Sequence, residues 1–223
     1  MDSSAKVNPQ ASGIKHRAVF EVAFDICYLA CAIISGIVLA VQGHVAYGVM
    51  AIILFAGDFM HLAPRVLSQL NTGKDYSKPL GLGKMAASIT MAVFYSILWS
   101  IGASRYPSLK LAALGPLVHV LTAARIALCL LPQNNWAANK DEGPLRIWRN
   151  IPFFIAGALV ALLYAASWIY CRDAISHIFI PILASFAFYA PVVLFGAKNK
   201  KLGMLMIPKS LAYAWIILTG FKL

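Results

Sequence analysis

The chain has 223 residues, of which 61% are hydrophobic and 12% are charged, and its mean hydropathy is +0.75. Soluble domains carry about 25% charged residues, so the composition excludes an ordinary water-soluble domain and indicates a polytopic membrane protein. The formal charge is +11, from 19 Lys and Arg against 8 Asp and Glu. Most of these cations lie in short connections between apolar segments, a pattern typical of membrane topology and not of nucleic-acid binding.

Seven apolar stretches are long enough to cross a bilayer, which takes about 20 residues of helix. After a polar tail over residues 1–18, they are expected at 19–41, 46–67, 83–104, 109–131, 149–170, 176–196 and 202–221. The connections are short, and no linker divides the chain. The sequence therefore predicts an all-α, seven-helix bundle that forms a single transmembrane domain over residues 19–223.

Basic residues are concentrated on one side of this predicted bundle. The tail and the second, fourth and sixth connections hold most of the lysines and arginines. The alternate side carries only Arg105, Lys110, Arg172 and Lys222. Because cytoplasmic loops of membrane proteins are enriched in Lys and Arg, this asymmetry predicts that the N-terminus is cytoplasmic and the C-terminus lies outside.

The most informative motif is the run GDFMHLAPR in the second predicted helix. Ionisable side chains at membrane depth cost roughly 3 kcal/mol each on insertion scales, so they are rare and usually functional. Asp58, His61 and Arg65 are spaced three and seven residues apart, which places them on one face of a helix. We expect this polar stripe to belong to a functional site.

Other polar residues are predicted at the same depth, in the cytoplasmic half of their helices. They are Glu21, Asp25, Lys84, His119, Arg125, Arg149, Asn150 and Lys209. Together with the stripe on the second helix they predict one polar cavity that opens toward the cytoplasm or the inner leaflet. Its cations outnumber its acids, which suits an anionic ligand such as a phosphate head group or a carboxylate. The run GLGK, at the predicted start of the third helix, would add backbone donors because helix N-termini bind anions.

This pattern favours a hydrolase that acts on a lipid or amphiphile with an anionic head group. Asp58 or Asp25 would be the general acid or base, and His61 or His119 would share the proton transfer. The expected ligand-binding residues are Arg65, Lys84, Arg125, Asn150 and Lys209. A metal site built on Asp58 and His61 would need His119 or Asp25 as its third ligand, but no HExxH or paired HxxxH motif is present. We therefore expect no metal and no other cofactor.

Two other functions remain open at this stage. Intramembrane Asp, His and Lys residues are also parts of proton relays, which favours a transporter or channel for a small solute or protons, although the chain has no duplicated half. Alternatively, the polar network only sets the packing of a membrane scaffold. A lysine in the last helix is typical of retinal photoreceptors, but the third helix lacks a carboxylate for the counterion. Nothing in the sequence specifies an oligomeric state.

Several runs of the chain resemble a family of bacterial multi-span membrane proteins. They are GDFMHLAPR, GLGKMAASITM, RIALCLLPQNNW, WRNIPFF and IPKSLAYAW. This resemblance implies a multi-pass protein of the bacterial inner membrane, in contact with lipid. The Gly57–Asp58 pair and the lysines at helix starts are also similar to the lysoplasmalogenase-like enzymes, which cleave the vinyl ether bond of lysoplasmalogens. That family typically has eight spans and a late second carboxylate, a role that Asp25 would have to fill here.

Overall fold

The computed structural model describes residues 9–70, 73–139, 144–196 and 199–223, without the side chains of residues 9–18, 69–70 and 200–201. Over these residues the chain is helical and has no strand. The α-helices are α1 (Pro9–Val41), α2 (Val45–Leu70), α3 (Ser77–Arg105), α4 (Gly115–Leu130), α5 (Leu145–Trp148), α6 (Ile151–Tyr170), α7 (Phe179–Phe195) and α8 (Met206–Thr219). Short 3₁₀ turns join several of them, among them Trp136–Ala138 and Lys200–Leu205.

Seven helical segments of the described chain are long and apolar enough to cross a membrane. They are Val19–Val41, Val45–Ser68, Ser77–Arg105, Lys110–Leu130, Leu145–Tyr170, Ser176–Phe195 and Leu202–Lys222. The prediction of an all-α polytopic membrane protein is confirmed. Three helix starts differ clearly from expectation: α1 begins at Pro9, within the predicted tail, α3 begins six residues early, at Ser77, and α4 begins six residues late, at Gly115, after a 3₁₀ turn over Lys110–Leu114. The Asp75 carboxylate accepts a hydrogen bond from the Ser77 amide at 2.8 Å, which satisfies one of the first amides of α3.

Helix α3 lies at the centre of the bundle. It packs against α2, α4 and α6. Helix α6 also contacts α4 and α7, α7 contacts α8, and both α8 and α2 contact α1. The core around α3 is aromatic, with Phe94, Tyr95, Trp99, Tyr164 and Tyr213 almost completely buried. This arrangement brings one face each of α2, α3, α7 and α8 toward a common interior.

Helices α2 and α3 approach so closely that only glycine fits at position 83. A Cβ atom on Gly83 would lie 2.2 Å from the Met60 carbonyl oxygen and 2.7 Å from the His61 Cα atom. Pro64, four residues after Met60, lacks the N–H that would normally bond this carbonyl. The segment of α2 before Pro64 is therefore held directly against the backbone of α3.

Substituting Gly83→Ala is expected to destabilise the protein by about 1–3 kcal/mol, because the added methyl group meets backbone that has to move. Gly203→Ala is the matched control, since a Cβ atom there meets nothing within 4 Å. Thermal unfolding of both purified variants in the same detergent measures the difference. Equal melting temperatures for the two variants would show that the helices do not need this close approach.

The end of the bundle near Tyr106 is held by a polar cluster around Asp173. Arg105 donates to both carboxylate oxygens of Asp173, with the Nη2–Oδ1 distance at 3.0 Å, and the Tyr106 hydroxyl donates to Oδ2 at 2.8 Å. The hydrogen bonds from Arg105 hold the pKa of Asp173 well below its usual range. Burial, in turn, raises the pKa of Tyr106. The cluster ties the end of α3 to the connection between α6 and α7.

The folded-state pKa of Asp173 is lower than its unfolded-state value of about 4. The ionised Asp173 carboxylate therefore contributes fully to stability above about pH 4, and this contribution is lost as the pH falls through the folded-state pKa. The pair with Arg105 is partly exposed, so we expect Asp173→Asn to cost about 1 kcal/mol or less at pH 7. The difference in melting temperature from the native protein should shrink below pH 4. Lys110→Gln, an exposed change at the same end, should show no such pH dependence. A constant difference between pH 3 and pH 7 would contradict the assignment.

Candidate functional site

A cavity of about 490 Å³ lies between α2, α3, α7 and α8, and it is lined on one side by Trp136, Asn139, Arg146, Arg149 and Asn150. Each helix contributes a single face, with lining residues three or four positions apart. On α2 these are Asp58, His61, Leu62 and Arg65; on α8 they are Met206, Lys209, Ser210 and Tyr213. The stripe predicted on the second helix therefore faces an internal cavity.

The cavity has a half-buried mouth and a buried floor. At the mouth, Arg65, Asn139 and Arg146 are partly exposed. At the floor, Asp58 and Lys209 are only 9% and 6% exposed. The mouth lies at the end of the bundle where the connections rich in lysine and arginine meet, the side that the loop charges predict to be cytoplasmic.

Asp58 is fixed at the floor through one of its carboxylate oxygens. The Tyr28 hydroxyl, on α1, donates a hydrogen bond to Asp58 Oδ2 at 2.6 Å. No hydrogen bond from a described residue reaches Oδ1, and Lys209 lies within electrostatic range without forming a direct ion pair. The carboxylate is thus oriented by α1 while its second oxygen remains available to a ligand in the cavity.

Lys209 is held in an aromatic cage and not by an acid. Its ammonium group lies 4.6 Å from the ring centroid of Tyr189 and 5.1 Å from that of Tyr213, and it donates to the Met91 sulfur at 3.5 Å. Cation–π contacts of this kind stabilise a desolvated cation. Lys209 therefore brings a positive charge to the floor of the cavity opposite Asp58.

Three lining residues have a buried polar atom with no hydrogen-bond partner among the described residues. These atoms are His61 Nδ1, Asn139 Oδ1 and Arg146 Nε. Buried polar atoms are rarely left unpaired, because the desolvation cost is then uncompensated. All three residues line the same cavity, so a bound molecule is a candidate partner for these atoms.

Arg125 supports the cavity wall from behind and does not line it. The side chain is 1% exposed, donates to Asn150 Oδ1 at 2.8 Å and to the carbonyl oxygens of Arg149 and Ser88, and lies 4.0 Å from the ring centroid of Phe153. Its donors are used within the protein. Arg125 is therefore not among the described lining residues, where its ligand-binding role was expected, and its guanidinium instead joins α3, α4 and the start of α6.

The structure brings together many of the candidate residues derived from the sequence. Those that line the cavity are Asp58, His61, Arg65, Lys84, Arg149, Asn150 and Lys209. Like Asp58 and Lys209, Arg65 and Asn150 also have partners inside the protein. Arg65 donates to Glu21 on α1 at 2.6 Å, and Asn150 Oδ1 accepts hydrogen bonds from both Arg125 and Tyr189.

His119 and Asp25 do not line the cavity, which corrects their expected place in it. His119 is exposed on the outer face of α4, where its Nδ1 lies 2.8 Å from Ser96 Oγ. The prediction for His119 used only its depth in the membrane and not the face of α4 on which it lies. The buried face of α4 carries Val118, Thr122 and Arg125. Asp25 is buried, but α1 contributes no described residue to the lining.

The GLGK run does not form a helix N-terminus. Since α3 begins at Ser77, the amides from Gly81 onward lie inside the helix and are bonded within it. The glycines serve close packing instead, because a Cβ atom on Gly81 would lie 1.5 Å from the Trp136 carbonyl oxygen. The expected backbone anion site is therefore wrong, although Lys84 itself faces the cavity.

Sequence reasoning missed several lining residues, mainly on irregular segments. Trp136, Asn139 and Arg146 line the cavity in addition to the predicted Arg149, whose guanidinium lies 4.3 Å from the ring centroid of Trp136 and donates to Asn134 Oδ1 at 2.9 Å. The available signal was the i, i+3 spacing of these two arginines, which places both on one side of the turn that carries α5. Tyr189 lies in the apolar helix α7, and nothing in its sequence context indicated that it would line a polar cavity.

The described lining of the cavity is rich in basic residues. Five basic side chains line the cavity, and Asp58 is the only acidic residue among the described lining residues. The described chain contains no group of three or more His, Cys, Asp and Glu side chains placed to hold a metal ion. The arrangement can bind an anion at the mouth and exchange protons with it through Asp58 and His61.

No protein-family model matches this sequence, and no curated protein or solved structure is significantly similar to it.

Proposed function

We propose that this integral membrane protein binds an amphiphile with an anionic head group in its cavity and hydrolyses it. The observation that carries the proposal is the cavity, whose described lining holds five basic side chains and one oriented carboxylate within a membrane-length helix. Its volume of about 490 Å³ is in the range of small-molecule sites. Apolar lining residues such as Leu62 and Val193 suit the chain of an amphiphile next to its charged head group.

Asp58 and His61 are the residues proposed to carry the chemistry. They lie one helical turn apart on the same lined face, and each has a polar atom without a described partner. One of the pair takes a proton from the attacking water, and the other gives a proton to the leaving oxygen, so that water is added across the bond. The surrounding cations stabilise negative charge as it develops.

Incubation of the purified protein with defined single-chain lipids in a nonionic detergent tests this proposal. The lipids differ in head group and in linkage (ester, ether, vinyl ether or phosphate ester), and mass spectrometry identifies the products. We expect one anionic class to be hydrolysed. If the protein binds members of the panel but releases no product from any of them, the hydrolase proposal fails.

Transport is the second candidate, and one-sided access to the cavity favours it. The charged floor is separated from the opposite end of the bundle by buried aromatic residues such as Trp99 and Tyr164. This is the geometry of one state of an alternating-access carrier. Uptake of a labelled anion into proteoliposomes, without any chemical change to it, would favour transport over hydrolysis.

A further inference from the structure

We propose that Lys84 and Arg146 form a phosphate-binding subsite at the cavity mouth, and that the ligand is an amphiphile with a phosphate monoester head group and not a zwitterionic one. This inference rests on the proposed function, because it names the ligand class of the same cavity.

Most of the basic lining residues already have partners inside the protein. Arg65 is paired with Glu21, Arg149 is held by Asn134 and Trp136, and Lys209 lies in its aromatic cage. In contrast, the Lys84 ammonium makes no hydrogen bond or ion pair with any described residue. Arg146 donates only from Nη2, to the Leu194 carbonyl at 3.4 Å, and its buried Nε has no described partner.

Packing at two glycines brings the backbone next to Lys84 against two segments that carry unpaired polar atoms. The backbone at Gly83 lies against His61, and the backbone at Gly81 lies against Trp136 and the Cα atom of Asn139. Lys84 follows directly on the same helix and faces the cavity. His61 and Asn139, each with a buried polar atom that has no described partner, line the same cavity as the lysine.

A phosphate monoester matches this set of groups better than a carboxylate does. Its three terminal oxygens accept hydrogen bonds from an ammonium, a guanidinium and an imidazole, and arginine binds phosphate with particularly good geometry. In its singly protonated form it also has a P–OH group, which donates to an unpaired acceptor such as Asn139 Oδ1. An ionised carboxylate is only an acceptor, so it would leave that oxygen unsatisfied.

The same surroundings oppose the quaternary or primary ammonium group of a zwitterionic head group. The described acidic lining consists of Asp58 alone, which is at the floor and is bound by Tyr28. Trp136 has a ring that would suit a choline group, but the Arg149 guanidinium already lies 4.3 Å from its centroid. A second positive charge at the mouth would therefore face cations and gain no compensating contact.

Two probes with the same alkyl chain test the inference: dodecyl phosphate and dodecylphosphocholine. Binding of each to the full-length protein in dodecyl maltoside is measured by calorimetry. We expect dodecyl phosphate to bind at least about 10-fold more tightly than dodecylphosphocholine. Lys84→Gln and Arg146→Gln should each weaken dodecyl phosphate binding by about 10-fold or more, since each removes a charge-assisted hydrogen bond.

Lys78→Gln is the matched control, because it removes the same charge from an exposed position at the start of α3. It should leave dodecyl phosphate binding unchanged, and the melting temperatures of all variants show whether they are folded. Equal binding of the two probes, or folded Lys84 and Arg146 variants that bind like the native protein, would overturn the inference. Inorganic phosphate that binds as tightly as dodecyl phosphate, and with the same dependence on Arg146, would support the subsite but overturn the amphiphile as its source.

The result of this binding test can be distinguished from the result of the hydrolysis test of the proposed function. Selective binding of dodecyl phosphate without hydrolysis of any lipid would support the subsite while the hydrolase proposal fails. Hydrolysis of zwitterionic lipids would support the hydrolase while the subsite proposal fails.

Discussion

Replacement of Asp58 by asparagine is expected to reduce hydrolysis of the substrate by about 100- to 10,000-fold, the range typical of a general acid or base. Asparagine has nearly the same shape and still accepts the hydrogen bond from Tyr28, so the helix packing should persist. What it loses is the ability to exchange a proton with the ligand. Initial rates of product formation measure the effect, and binding of dodecyl phosphate to the variant shows that the cavity is intact.

Asp25→Asn is the appropriate control for Asp58→Asn. Asp25 is similarly buried, at 7% exposed against 9%, and it lies within electrostatic range of Asp58. Because it does not line the cavity, its replacement should change the rate far less. If Asp58→Asn keeps the native rate, or if it lowers only the folding yield, Asp58 is a structural residue and the catalytic proposal loses its main group.

Replacement of Arg125 by leucine is expected to destabilise the protein by about 3 kcal/mol or more. The change leaves three acceptors, on Ser88, Arg149 and Asn150, without the guanidinium and removes its contact with the Phe153 ring. Each lost hydrogen bond in a buried site costs about 1 kcal/mol or more, and leucine does not fill the same volume. Thermal unfolding in detergent measures the loss of stability.

Arg172→Leu serves as the control for Arg125→Leu, since Arg172 is exposed in the connection before α7. Its effect should stay within about 0.5 kcal/mol, as for most surface substitutions. A folded Arg125→Leu variant with native stability but weakened ligand binding would reverse the assignment of Arg125 as a structural residue.

Part of the candidate site could be predicted from the sequence, because ionisable residues in apolar helices are few and their spacing shows which of them share a helix face. The stripe on α2 and the lysines at positions 84 and 209 were found in this way, and all of them line the cavity. Depth alone was a poor guide for His119, because a residue next to an inward-facing Val118 points about 100° away around the helix.

Residues on irregular segments could not be placed in the same way. Asn139 and Trp136 reach the cavity through a connection of 3₁₀ turns, and Asn139 has a left-handed backbone conformation with φ of 51°. No periodicity relates such residues to a face. Tyr189 joined the site only because α7 packs beside α8 and so presents its ring to Lys209.

By itself the sequence determined that this is a seven-span helical membrane protein and which of its helices carry buried charge, since both follow from hydropathy and helical period. Only the tertiary structure decided which of those charges face a common cavity and which are satisfied internally. The reason is that the groups that a charged side chain can contact depend on how closely neighbouring helices approach each other. The glycine contacts of α3 set that approach at Met60 and Trp136, and they brought Lys84 to the mouth beside His61.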